Sequence, residues 1–92
     1  MTKDRRYKTV NNLISGGYVK TFREILETIP KSTIARDLGM HHQTFTKLID
    51  HPERFTFQDA FRIAALLEVE NMIVLTLIYE QYAVDKKVKK RK

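Results

Sequence analysis

The sequence predicts an all-α domain of about five helices, and three observations predict it. Apolar residues recur at helical spacing through most of the chain, the three glycines and two prolines fall between those stretches, and no segment finds a strand-like partner. With 92 residues, 42% hydrophobic and 30% charged, the chain holds one small domain around a single core.

The elements follow in order. Residues 1–18 read as a basic N-terminal extension with a short helix over 10–14, closed by Gly16 and Gly17. The domain proper is expected over 19–85. Phe22, Ile25, Leu26 and Ile29 fall at i, i+3, i+4 and i+7 and predict a first amphipathic helix over 19–29. Pro30 ends it and suits the first turn of a second helix, which runs to Leu38 and stops at Gly39. A third helix is expected from His42 to Asp50, with Phe45, Leu48 and Ile49 inward and Pro52 soon after. Thr56 with Asp59 three positions on is a capping-box variant that opens a fourth helix, with Phe57, Ala60, Phe61, Ala64 and Leu67 on its inner face. Phe22, Phe45, Phe57 and Phe61 are therefore expected in the core.

A fifth helix starts near Asn71, and residues 72–79 are apolar almost all round. That run is β-branched and short enough to pass for a buried strand, but there is no second strand for it to pair with. Excess apolar surface on a terminal helix marks an interface. Met72, Leu75, Ile78, Tyr79 and Tyr82 are the residues expected at a homodimer contact. Residues 86–92 are a low-complexity basic tail, expected to be disordered when free.

Charge and composition narrow the function. The net charge is +6, unevenly spread. Residues 1–23 carry Lys3, Arg5, Arg6, Lys8, Lys20 and Arg23 against Asp4, a net +5, and residues 86–92 add +6. Residues 24–85 hold five cations and ten anions, a net −5, so basic ends flank an acidic body and any contact with phosphate is local or comes from the ends. The absence of cysteine removes disulfides and thiolate metal sites. His41, His42 and His51 lack metal-site spacing, and there is no phosphate-cradling glycine loop or nucleophile beside a base. No metal, cofactor or catalytic role is expected. With no leader or membrane-spanning stretch, the chain reads as soluble and cytoplasmic.

The segment over 31–50 carries the functional signal: two short helices joined by a tight turn containing glycine. Ala35 is small where the two helices cross, and Gly39 permits the turn. Ile34, Leu38, Met40, Phe45 and Leu48 form the small core between them. Here the sequence resembles the lambda-repressor-like helix-turn-helix family, also called the Xre or Cro/CI type. Phe45 is bulkier than the usual valine or isoleucine. The resemblance continues through Pro52, the Thr56-capped fourth helix and Ala64 to Leu67, although His51 and Glu68 stand where Asn and Gly are common and Glu70 replaces Asp. It covers roughly residues 19–82 and implies a DNA-binding domain of bacterial or phage origin.

In such a domain the third helix enters the major groove with its N-terminal residues toward base edges. His42 and Gln43 occupy that first turn and Thr46 and Lys47 lie one turn on, so these four are the expected base readers. Gln43 matches adenine, and Lys47 reaches guanine acceptors or a phosphate. His41, Thr44, Lys31 at the start of the second helix, and Arg54 in the loop after the third are expected at the DNA backbone. Asp50 would repel phosphate if it faced the groove. The function expected is sequence-specific binding of double-stranded DNA as a small transcriptional regulator, a homodimer on a pseudo-palindromic operator. The alternative is a protein-interaction module, antitoxin-like or partner-dependent, with weak DNA binding of its own. A third reading is a sequence-neutral nucleic-acid binder driven by the basic ends.

Overall fold

The computed structural model describes residues 4–90, with side chains through residue 87. Six helices run in order: α1 (Arg5–Ser15), α2 (Phe22–Ile25), α3 (Lys31–Leu38), α4 (His42–Asp50), α5 (Phe57–Leu67) and α6 (Asn71–Lys90), with a 3₁₀ turn over Pro52–Arg54. Among the described residues there is no strand, so the fold is all-α. None of these helices is long and apolar enough to cross a membrane.

The N-terminal extension is part of the domain. In place of a short helix over 10–14, α1 is an 11-residue helix that buries Tyr7 and Val10. Asp4 caps it: its carboxylate accepts from the Arg6 backbone N–H at 2.9 Å and from the Arg6 guanidinium at 2.9 and 2.6 Å. The Arg6 side chain holds the Asp4 carboxyl well below the usual carboxylate range, with the backbone hydrogen bond adding to the effect. Lys3 lies outside the described residues, but Arg5, Arg6 and Lys8 ride on this helix. They do not form a loose arm.

The helix expected over 19–29 is shorter. The Glu24 carboxylate accepts from the backbone N–H groups of Lys20 and Thr21 and starts α2 at Phe22. Those two hydrogen bonds lower the Glu24 pKa. After Ile25 the chain winds on through tighter bonds, Leu26 to Arg23, Glu27 to Glu24 and Thr28 to Ile25, and stops before Pro30, which has no N–H to continue a helix. The inward positions survive: Phe22, Ile25 and Ile29 are buried and Leu26 packs against them.

At the other end, α6 does not stop before the basic tail. The helix continues to Lys90, so residues 86–90 are helical, contrary to the disordered tail expected, and Arg91 and Lys92 lie outside the described residues. Nor is α6 buried on every side. Val74, Leu77, Ile78 and Gln81 face inward, while Met72 and Tyr79 are 66% and 63% exposed.

The core is centred on an edge-to-face trio. Phe22, Phe45 and Phe55 meet with ring centroids 5.2 to 6.4 Å apart. Phe57 and Phe61 are not in it. They lie on the surface, 71% and 41% exposed, with rings stacked at 6.1 Å. The buried face of α5 is Ala60, Ile63, Ala64 and Leu67. Ala60 and Ala64 are fully buried, and such small side chains let α5 and α6 lie close, which displaces the two rings to the rim. Leu48 also departs from expectation: it is half-exposed and outside the core.

Three polar tethers hold the layers. The Tyr7 hydroxyl donates to Asp37 at 2.6 Å and joins α1 to α3. The Asn11 amide donates to the carbonyls of Leu67 and Glu68 at 2.8 and 3.0 Å, satisfying the end of α5, where Glu68 takes the left-handed conformation at φ 56°. The Arg62 guanidinium donates to Leu38 O and satisfies the end of α3.

These placements fix two outcomes. Phe45→Ala lowers stability by about 3–5 kcal/mol, while Phe57→Ala stays within about 0.5 kcal/mol of wild type in urea unfolding of dilute protein. Burial first, then the bond to Asp37, raises the Tyr7 pKa. A folded-state value above the unfolded one stabilises at low pH and loses that contribution as pH rises. The stability advantage of wild type over Tyr7→Phe is therefore constant below about pH 10 and shrinks above it.

Candidate nucleic-acid interface

The site is built on α3 and α4. Three residues join them, and the turn is made by Gly39 at φ 70°, ψ 29°, a left-handed conformation that glycine adopts without a side-chain penalty. Gly39 N–H donates to Arg36 O at 3.0 Å and Met40 N–H to Ala35 O at 2.9 Å, the double bond of a Schellman cap. Ala35 is buried in the core, and Met40 packs against it.

Phe45 and Ile49 set the rotation of α4. Both point inward, at 0% and 5% exposure, so the opposite face is turned to solvent. Gln43, Lys47 and Asp50 fall at i, i+4 and i+7 on that face and all three are exposed. His42 and Thr44 are exposed on either side of Gln43. Thr46 is half-buried on the flank, and its hydroxyl donates back to His42 O at 3.0 Å. Its proton is therefore engaged within the helix, and what it offers a ligand is a methyl group and an acceptor oxygen.

The expected backbone contacts are more dispersed. His41 precedes α4 and is exposed at its start, beside Thr44. Arg54 is exposed in the 3₁₀ turn beyond the other end, about 14 Å away along the helix axis. Lys31, half-exposed, is the first residue of α3, whose N-terminal end carries the positive pole of the helix dipole. His51 is half-exposed with Nδ1 3.9 Å from Glu53. The described residues contain no cluster of three or more metal-ligating side chains.

Two supporting residues are invisible in the motif itself. The Arg23 guanidinium makes a bidentate pair with Asp85 at 2.7 and 3.0 Å and also donates to Ile49 O, near the end of α4, at 3.2 Å. Gln81, 3% exposed, accepts from the Arg23 backbone N–H and donates to Asp85, each at 3.0 Å. Arg23 thus ties α2, α4 and α6 together, and Arg62 does the same between α5 and α3. Each lays a cation on the carbonyl end of a helix of the pair. Both lie outside residues 31–50, and a local spacing pattern carries no sign of them.

With the geometry in place, comparison with known proteins gives little. No family model matches the chain, and no solved structure matches it. A B3 domain-containing protein of Oryza sativa subsp. japonica is 37% identical over 49 residues, which are 53% of this chain and 11% of that protein. The chain thus spans a small part of that curated relative.

A second surface stands apart from α4. Phe57 and Phe61 of α5 join Met72, Leu75, Tyr79 and Tyr82 of α6 in one apolar face. A groove of about 200 Å³ runs through it, with Pro52 and Phe55 at its base. Ile78, expected at a homodimer contact, is 8% exposed; it packs in the chain's own core and also lines this groove.

Removing the Arg23 guanidinium leaves Asp85 and Ile49 O without it. Arg23→Leu lowers stability by about 1–2 kcal/mol in urea unfolding, and amide exchange accelerates at the last turn of α4.

Proposed function

We propose that this chain is a sequence-specific double-stranded DNA-binding protein of the lambda-repressor-like helix-turn-helix type, a small transcriptional regulator that sets α4 in the major groove. The observation that carries the reading is the outward face of α4: a rigid helix, held in one rotation by Phe45 and Ile49, presents Gln43 and Lys47 to solvent. A major groove admits one α-helix, and an amide and an ammonium are the groups that match adenine and guanine edges there. His42 and Thr46 flank them as further base contacts. Lys31, His41, Thr44 and Arg54 are placed for the backbone. The bacterial or phage cytoplasm is the compartment this reading implies.

One such unit covers few base pairs, so a two-fold pair on a pseudo-palindromic site accompanies the reading, with half-sites about one helical turn apart. The apolar face of Phe57, Phe61, Met72, Leu75, Tyr79 and Tyr82 supports the pair. The same face favours a second reading, a module that holds a different protein, and the two are separated by what the purified chain does alone. Under the first, it dimerises at micromolar concentration and Phe57→Glu with Tyr79→Glu returns it to a monomer in sedimentation. A wild-type chain monomeric both free and on DNA favours the second.

The direct test of reading by α4 is selection of sites from a random duplex library at near-physiological salt. Wild type enriches a symmetric motif, and the variant His42→Ala, Gln43→Ala, Lys47→Ala does not. Gln43→Ala alone costs about 1–3 kcal/mol on the selected site and relaxes one position of it. A folded wild-type sample that enriches no motif overturns the proposal. Binding that persists in the triple variant, equal for every sequence, assigns the affinity to the basic ends instead.

A further inference from the structure

We propose that Asp50 is a third reader on α4 and takes a hydrogen bond from the exocyclic amino group of cytosine in the major groove. The inference rests on the DNA-binding reading above and adds to it the base that the C-terminal end of α4 prefers. Asp50 lies on the line that begins with Gln43 and Lys47, and all three are exposed. From residue 43 to residue 50 the axis advances about 10 Å, comparable with the rise of about three base pairs, so an α4 that lies along the groove brings all three side chains within one half-site.

Nothing in the fold accounts for a carboxylate at this position. Among the described residues the Asp50 side chain has no hydrogen bond and no ion pair. It is the last residue of α4, where the dipole disfavours negative charge, and the neighbouring carbonyl of Ile49 is already served by Arg23. In a groove lined by phosphates, an exposed carboxylate is repelled unless it meets a donor. The major groove offers two, the amino groups of cytosine and adenine. Adenine sets its N7 acceptor beside the amino group, which repels the second carboxylate oxygen. Cytosine sets no acceptor there, so cytosine is the match.

The sign of one substitution decides. On the motif that wild type selects, replacing the cytosine pair by a thymine pair at the position facing residue 50 weakens wild type roughly 5- to 150-fold. Asp50→Ala binds the parental site less tightly than wild type and no longer distinguishes cytosine from thymine there. Asp50→Asn, whose amide both donates and accepts, moves the preference at that position to adenine. Both variants are expected to fold, which circular dichroism checks, because the side chain is exposed and bonds to no described residue. The proposal is overturned if Asp50→Ala binds parental and random duplexes more tightly with an unchanged motif, since the carboxylate then acts only by repelling phosphate. If wild type selects no motif, the DNA reading itself fails and this inference with it.

Discussion

The burial of Phe45 is the constraint on which the rest of the arrangement depends. Its ring is fully enclosed and meets Phe22 and Phe55 edge to face, so α4 has one rotation available to it. A helix nine residues long cannot hold its own orientation in water, because short isolated helices are marginal. The orientation comes from the knob that it drives into the core. From that single placement follow the outward line of Gln43, Lys47 and Asp50, the inward turn of Ile49, and the flank position of Thr46. A smaller residue at 45 would fill less of the space between Phe22 and Phe55 and would hold the outward face of α4 less firmly. Here the rigidity of the outward face of α4 is a property of packing, set by residues that are not themselves on that face.

The outer helices hold this centre in place through polar contacts at helix ends. Arg23 on Ile49 O, Arg62 on Leu38 O and Asn11 on Leu67 O each satisfy a carbonyl that a helix terminus leaves open. Tyr7 on Asp37 brings α1 to the same pair of helices. Such contacts contribute about a kcal/mol each, and their larger effect is directional. They fix where each helix ends and which neighbour it meets. α6 takes part through Gln81 and Asp85, so the helix whose outer face is free to meet another chain is also bonded, through Arg23, to the end of α4.

Much of this was legible in the sequence where the signal is local. Pro30, Gly39, and Thr56 with Asp59 mark helix boundaries by chemistry that acts within a few residues: α3 begins after Pro30 and ends at Gly39, and α5 begins after Thr56. The exposure of His42, Gln43 and Lys47 followed from the spacing of Phe45 and Ile49. What was not legible depends on partners distant in the chain. Phe57 and Phe61 fit a helical stripe as well as Ala60 and Ala64 do, and close approach of α6 decides which of them is inside. α1 was underestimated because Tyr7, an amphipathic residue, is half of its buried face. Ile78 and Met72 read alike in an apolar run, and the side of α6 that meets Leu77 and Val74 separates them. Arg23 and Asp85 are 62 positions apart, beyond any spacing rule. In the sequence alone Asp50 is a negative charge that phosphate would repel, and its alignment with Gln43 and Lys47 is what carries the role proposed for it.

The central claim is that DNA meets the outward face of α4, and the most direct measurement is a titration of isotopically labelled protein with a duplex that it selects, followed residue by residue in amide shifts. Perturbations concentrated over residues 41–50, with Lys31 and Arg54 at the margins and the core amides of α5 unmoved, are the result required. Shifts confined to the basic residues at the two ends, or to the face around Phe57 and Tyr79 with α4 silent, would contradict it.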